Sequence, residues 1–327
     1  MEQKTKFLYL SEQEVKSLLT QEDAIRAAEE AFRSVGNGAI TIGRMTLMTV
    51  DPAEKNNFHI MPAVMHERNI AGMKWIGTFG APLPGYPFSH GNLIILSSTE
   101  TGLPLAVVGA TGITAMRTAG GHGVVQAKLL ANPDQKRLSV FGCGVQARSG
   151  ICGFLQQFPD IQQVRIFSRS EEPIAAVREQ WKSHVEVVSC HSAEEALEES
   201  NLVLMASGAW KPLLYKEHLR PGMTIIGIEG FRDMDPEISR RAKWYLGCRD
   251  TDIDILEDPE LNPDGSLSLS DVYGDVAQVL NGKCAGREDP QEIIVSTHMG
   301  MGAHDLCCAC RAYERAREKG IGTWLTV

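Results

Sequence analysis

The chain is 327 residues long, 43% apolar and 22% charged, with a net charge of −9 and a pI near 5.5. That length and mixture exclude a disordered chain and leave room for two cores. The acidic balance, with no Lys/Arg cluster, excludes a nucleic-acid binder, whose phosphate contacts need a basic surface.

Ser11 to Glu14 fits the S-x-x-E capping box. Val15, Leu18, Ile25, Ala28 and Phe32 recur near helical spacing before Gly36-Asn37-Gly38 stops the run, which predicts one or two opening helices. The scattered charges of MEQKTKFLYLSEQEV do not read as a signal peptide, and no later stretch is apolar for long enough to span a bilayer. From Ile40 to Val108 the pattern changes to short β-like runs, RMTLMTV, FHIMPAVM, IAGMKWIGTF, NLIILSS and LPLAVVG, separated by turn residues. The last two, joined by Thr99-Glu100-Thr101-Gly102, read as a hairpin. GAPLPGYP, Gly80 to Pro87, is a long punctuated loop and a candidate rim or lid.

After Thr114 the grammar changes again. AMRTAGGHGVVQAKLLA predicts a helix ending at Asn132-Pro133, followed by the strand RLSVFG, a glycine turn, a helix through FLQQF and the strand QVRIFSR. HVEVVS, NLVLMAS, MTIIGIEG and WYLGC continue the strands, with helices at SAEEALEES and near YKEHL. Such alternation argues for βαβ units and a parallel sheet with helices on both faces. The expected fold class is α/β: a Rossmann-type doubly wound domain over 121–300 and a second α/β domain over 1–120. The amphipathic closing helix of 301–327 returns to the first domain. It carries Cys307, Cys308 and Cys310, whose neighbouring positions face different directions, so they read as buried small side chains and no metal is expected. The eight cysteines show no small-scaffold spacing, which fits free thiols in a reducing compartment, the cytoplasm.

The turn SVFGCGVQARSG carries the chemistry of the second half. Gly142 permits a tight turn, Gly144 lets a phosphate approach the backbone, and Ala147 packs helix against strand. With Val145 and Gln146 they open a helix whose N-terminus suits a pyrophosphate. At the end of the next strand, QVRIFSRSEE places Ser168, Arg169 and Ser170 where an NAD site usually carries an acid. A 2′-phosphate needs a cation and hydroxyl donors, so the reading favours NADP(H), with NAD(H) as the alternative. In the first region Arg44, Lys74 and Arg117 sit in apolar or glycine-rich surroundings, the setting of a desolvated cation that grips a small carboxylate.

GITAMRTAGG, LSVFGCGVQA, VRIFSRS and AYERAREKGIGTWL, in that order, resemble the ornithine cyclodeaminase and mu-crystallin family over almost the whole chain. The resemblance implies a Rossmann-type domain inserted into a substrate-binding and dimerisation domain, hence a homodimer. It implies NAD or NADP as cofactor and α-amino or α-imino acids as substrates, with Arg44, Lys74 and Arg117 on the substrate α-carboxylate and Thr118 beside the cofactor. Two segments depart from the family pattern. In GIEGFRDMDPEI, Glu229 stands where family cyclodeaminases carry an Asp, and the Pro-Gly-Lys that follows there is missing. In STHMGMGAHDL, His298 is a polar newcomer and Asp305 is retained.

Three activities follow as alternatives. The first is an NAD(P)H-dependent oxidoreductase interconverting an α-amino acid and its imino acid, with Lys74, Glu229 and His298 as the catalytic set. The second is an ornithine or lysine cyclodeaminase that uses its dinucleotide catalytically. The third is a crystallin-like NADPH-binding protein with little turnover. His59, His90 and His122 read as structural histidines.

Overall fold

Ser11 opens the helix Glu12–Leu18 through the capping box read from the sequence. Thr20 and Asp23 form a second box at the start of Gln21–Gly36. In this computed structural model, residues 5–51, 53, 56–79, 90–257, 262 and 265–327 are described. The chain divides into two compact units, one of Met1–Arg117 with Met301–Val327, the other of Thr118–Gly300. The candidate rim loop of 80–87 lies outside the described residues.

The first unit is built on an eight-stranded sheet. Its strand order is Thr323–Thr326, Lys6–Leu10, Pro104–Gly109, His90–Ser98, Ile70–Thr78, Asn56–Met65, Ile40–Ile42, and Thr46–Asp51 also pairs with Asn56–Met65. The expected hairpin forms between His90–Ser98 and Pro104–Gly109. The chain-terminal strands Lys6–Leu10 and Thr323–Thr326, which pair antiparallel, are additions that the sequence reading did not anticipate. Alternation divides the faces: Leu8, Met61, Ala63, Ile94, Leu96, Ala106 and Val108 are buried. The same face carries Lys74, whose register partners are Met61 and Ile94. The helix Gly302–Lys319 packs there and buries Cys307, Cys308 and Cys310. Burial pushes the Cys308 and Cys310 thiols up to about 12, so both stay neutral. Arg315 from this helix donates to both carboxylate oxygens of Asp23 at 2.6 and 2.7 Å and holds that carboxyl well below the usual carboxylate range.

The second unit is an eight-stranded sheet in which every pairing is parallel. Its order is Glu186–Cys190, Gln163–Phe167, Arg137–Phe141, Leu202–Met205, Thr224–Gly227, Ile294–Thr297, Lys243–Leu246, Val272–Asp275. The chain runs outward from Arg137–Phe141 in one direction and then returns to continue on its other side. The strand order therefore reverses between Arg137–Phe141 and Leu202–Met205, the place where open α/β sheets bind ligands. The core against one face includes Phe141, Val203, Met205, Ile225, Trp244 and Val295. The single helix expected across AMRTAGGHGVVQAKLLA is instead Thr111–Arg117, a π-helical turn Thr118–Gly123, and Val124–Leu130. Close packing explains part of this. A Cβ on Gly153 of the helix Val145–Gln157 would lie 2.5 Å from the Gly120 carbonyl oxygen, so small residues are needed on both sides.

Candidate active site

The glycine turn follows the strand Arg137–Phe141 at the point where the strand order reverses. Gly142 has φ +102°, and a Cβ there would also meet the Ala206 carbonyl oxygen at 2.4 Å, so only glycine fits. Its N–H donates to the Phe167 carbonyl at 2.8 Å, tying the turn to the next strand. At Gly144 a Cβ would meet nothing within 4 Å, which leaves open space over the helix N-terminus. Gly144 caps the helix Val145–Gln157 without a side chain, and the first helical bond runs from Arg148 N–H to the Gly144 oxygen. The N–H groups of the first turn point out of the helix with no intrahelical acceptor, a ready cradle for phosphate oxygens. Ala147 is fully buried against the sheet. The Gln146 side chain accepts from the Ala119 N–H at 3.3 Å, joining this helix to the π turn that contains buried Thr118. These residues fit a dinucleotide.

Ser168 and Arg169 leave the strand Gln163–Phe167, and Ser170 caps the helix Glu171–Trp181. Arg169 and Ser170 are exposed. The nearest acid, Glu171, is engaged elsewhere: it accepts from Ser189 Oγ and pairs with Arg178 at 3.3 Å, and both hold its carboxyl below the usual range.

Farther along the same carboxyl edge, Glu229 and His298 follow the strands Thr224–Gly227 and Ile294–Thr297. The Glu229 carboxylate pairs with Arg232, whose guanidinium lies 4.5 Å from the Trp210 ring centroid. His298 is fully buried, and its Nδ1 lies 2.7 and 3.0 Å from the two Asp252 carboxylate oxygens. Asp252 also accepts the N–H groups of Cys248 and Met299, at 3.0 and 3.2 Å. A carboxylate with that many donors fixes the imidazole tautomer and orientation. The His122 ring meets the His298 ring edge-on at 4.7 Å. Gln126 bonds His122 and accepts from Ser296 Oγ at 2.7 Å, extending a fully buried polar chain. Sequence reading named His298 without Asp252, 46 positions away, because no periodicity links them.

The first unit holds a second constellation. Lys74 Nζ and Arg117 Nε both donate to Asp305 Oδ1, at 2.8 and 3.0 Å, and all three side chains are buried. Two cations on one carboxylate leave a net positive charge away from water, where an uncompensated charge is costly. Arg117 Nη1 and Asp305 Oδ2 are buried and, among the described residues, without a hydrogen-bond partner. Burial, with Arg117 adding to it and Asp305 opposing it, lowers the Lys74 ammonium pKa to about 8. The glycine that opens the last helix makes this contact possible: a Cβ on Gly302 would lie 2.5 Å from the Met61 carbonyl oxygen. Of the three expected cations the structure joins Lys74 and Arg117. Arg44 is exposed, between the strands Ile40–Ile42 and Thr46–Asp51. His59 is half-buried on Asn56–Met65, and the side chain of His90 lies outside the described residues.

Fold and site together define a dinucleotide-dependent class of protein, with a Rossmann-type unit and a separate unit carrying a buried cluster of two cations on one carboxylate. The chain belongs to the ornithine cyclodeaminase/mu-crystallin family, whose profile matches residues 5–320. The alanine dehydrogenase of Archaeoglobus fulgidus is 31% identical, with 97% of each chain covered. The solved Δ1-pyrroline-2-carboxylate reductase of Thermococcus litoralis, in complex with NADH and L-proline, superposes with a TM-score of 0.87 at 26% identity, over 97% of this chain and 99% of that one. An archaeal alanine dehydrogenase dimer with bound NAD gives 0.88 at 27% identity, over 98% and 99%. Among the described residues no helix is long and apolar enough to cross a membrane.

Proposed function

We propose that this chain is an NAD(P)(H)-dependent oxidoreductase that interconverts an α-amino acid and its α-imino acid. The observation that carries this reading is the sharing of one Asp305 oxygen by Lys74 and Arg117. It leaves one net positive charge and, among the described residues, an unfilled guanidinium N–H, the complement of a single carboxylate. Arg117 Nη1 takes the substrate carboxylate, and Arg44 completes the grip. Lys74, with its pKa drawn toward neutrality, moves the proton. Neutral, it accepts a proton from the substrate ammonium, since only a free amine pair can expel hydride from the α-carbon. Charged, it returns that proton to nitrogen in the reductive direction. A bound nicotinamide dinucleotide supplies or accepts the hydride. Its phosphates are assigned to the helix N-terminus after Gly144, with Gly142, Val145, Gln146, Ala147 and Thr118 shaping the turn. Glu229 remains an acceptor at the carboxyl edge of the parallel sheet, but Arg232 neutralises it, which leaves Lys74 better suited to proton transfer. His298, oriented by Asp252, serves as a hydrogen-bond donor at the same edge.

NADP(H) is the preferred dinucleotide in this reading. Ser168, Arg169 and Ser170 offer a cation and hydroxyls, while Glu171 is taken up by Ser189 and Arg178. The protein is a homodimer, joined by the sheet face of the first unit that points away from Lys74. Tyr9, Met48, Leu93 and Leu325 are exposed on that face at 38, 38, 42 and 41%, and the register aligns Trp75 with Leu93.

The deciding experiment follows reduced nicotinamide absorbance across a panel of amino acids and cyclic and open-chain imines, with product masses. Stoichiometric cofactor turnover with imine or amine products is expected. Ammonia release and ring closure without net absorbance change would make the chain a cyclodeaminase, and tight NADPH binding with no product at all would leave a binding protein.

A further inference from the structure

One buried polar group of the first unit has no role in the reading above. Asn92 lies on His90–Ser98, directly across from Ile76, while Lys74 is directly across from Ile94. Asn92 and Lys74 are therefore diagonal neighbours on the inward face of the sheet, within reach of one small molecule. Asn92 Nδ2 donates to Thr114 Oγ1 at 3.3 Å. Thr114 stands three residues before Arg117 on the helix Thr111–Arg117, so the two share one helical face. Asn92 thus neighbours Lys74 in the sheet and bonds the helix that carries Arg117.

Asn92 is 6% exposed, and its Oδ1 is buried and, among the described residues, without a hydrogen-bond partner, like Asp305 Oδ2 and Arg117 Nη1. Three unsatisfied polar atoms in one neighbourhood destabilise the fold unless a ligand completes them. Two are acceptors and one is a donor. A carboxylate answers the donor, and two N–H groups on a nitrogen next to it answer the acceptors. An open-chain α-ammonium has three N–H bonds: one exchanges with Lys74, and two remain. A cyclic secondary ammonium keeps only one after the same exchange, and one buried acceptor then stays unfilled.

We propose that Asn92 is a substrate-binding residue that, with Asp305 Oδ2, accepts the two remaining N–H groups of a primary amine, making open-chain primary α-amino acids the preferred substrate class over cyclic secondary ones. This rests on the carboxylate-gripping reading of Lys74 and Arg117.

The test compares kcat/KM for L-alanine, L-2-aminobutyrate and L-norvaline with that for L-proline, in the oxidative direction with the full chain. The wild type favours the primary amines. Asn92→Leu lowers kcat/KM for them by about 10- to 100-fold and for proline by less, so the ratio narrows. Asn92→Asp keeps an acceptor on the same stem and preserves the ratio, whatever its effect on absolute rates. Should Asn92→Leu not fold, Asn92→Ser, which cannot reach the same point, narrows the ratio instead. Preference for proline by the wild type, or an unchanged ratio in the Leu or Ser variant, overturns the proposal. Inhibition by propionate, which has a carboxylate and no amine, separates the two levels. If Arg117→Leu abolishes it while the Asn92 ratio does not move, only the role of Asn92 falls. If Arg117→Leu leaves it intact, the carboxylate reading falls and takes this proposal with it.

Discussion

Lys74 is fully buried yet tied to an acid, and its behaviour follows from the balance of those two conditions. Burial and the neighbouring Arg117 favour the neutral amine, Asp305 favours the ammonium, and the resulting pKa is about 8. For imine reduction the charged form is active, so kcat/KM should be level at neutral pH and fall above about pH 8. For amino-acid oxidation the neutral form is active, so kcat/KM should rise and level off above the same value. Lys74→Met should abolish the break and lower both rates by at least about 100-fold; a variant that keeps the break would assign it to another group. Arg169 tests the choice of dinucleotide. Arg169→Ala should weaken NADPH by about 10- to 100-fold and NADH hardly at all, because only the former offers a 2′-phosphate for a charge-assisted bond. Equal weakening in fluorescence titrations would assign Arg169 to a phosphate common to both cofactors.

Among the elements, the helix Val145–Gln157 shows most directly how packing serves the site. Its N-terminus must stand close to the turn after Arg137–Phe141, and its later residues must lie flat on the π turn Thr118–Gly123. Gly153 meets the second demand, since a methyl group there would press on the Gly120 carbonyl oxygen at 2.5 Å and Val124 Cγ2 at 2.9 Å. Gly153→Ala should cost about 1–3 kcal/mol and lower the melting temperature by several degrees in calorimetry. Gly144→Ala offers the contrast. Nothing within 4 Å obstructs a methyl group there, so the melting temperature should hold while NADPH affinity falls, because the phosphate approach is what the methyl group blocks. Were both variants equally destabilised, Gly144 would be a structural glycine with no bearing on the nucleotide.

At the scale of the whole molecule, the proposed homodimer joins at the exposed apolar face of the first sheet, where one patch would meet its own copy. A charge at its centre would be brought against the same charge on the partner. Leu93→Lys should therefore convert a dimer to a monomer in light scattering, with the far-UV spectrum unchanged because Leu93 points outward from the sheet. A variant that remains dimeric would place the subunit contact elsewhere.

The glycine turn, the alternating strands around it and the capping box at Ser11 were legible because each depends on neighbours within a few residues, where steric limits and hydrogen-bond geometry act directly. From their surroundings alone Lys74 and Arg117 were legible only as cations in apolar stretches, a pattern shared with ordinary ion pairs, and it was the family resemblance that grouped them. Their union on one oxygen of Asp305 required three elements from opposite ends of the chain to converge, and Asp252 reached His298 in the same way. The terminal strands Lys6–Leu10 and Thr323–Thr326 escaped notice because strands this short are stabilised mainly by their pairing partners. Sequence by itself thus determined the class of cofactor and the strand–turn–helix–strand order around the glycine turn, which rest on local backbone rules; the strands Val272–Asp275 and Ile294–Thr297 were not read from it. Tertiary structure alone decided which charges share a carboxylate and which polar atoms are left unfilled, because those depend on burial and on distances between residues far apart in the chain.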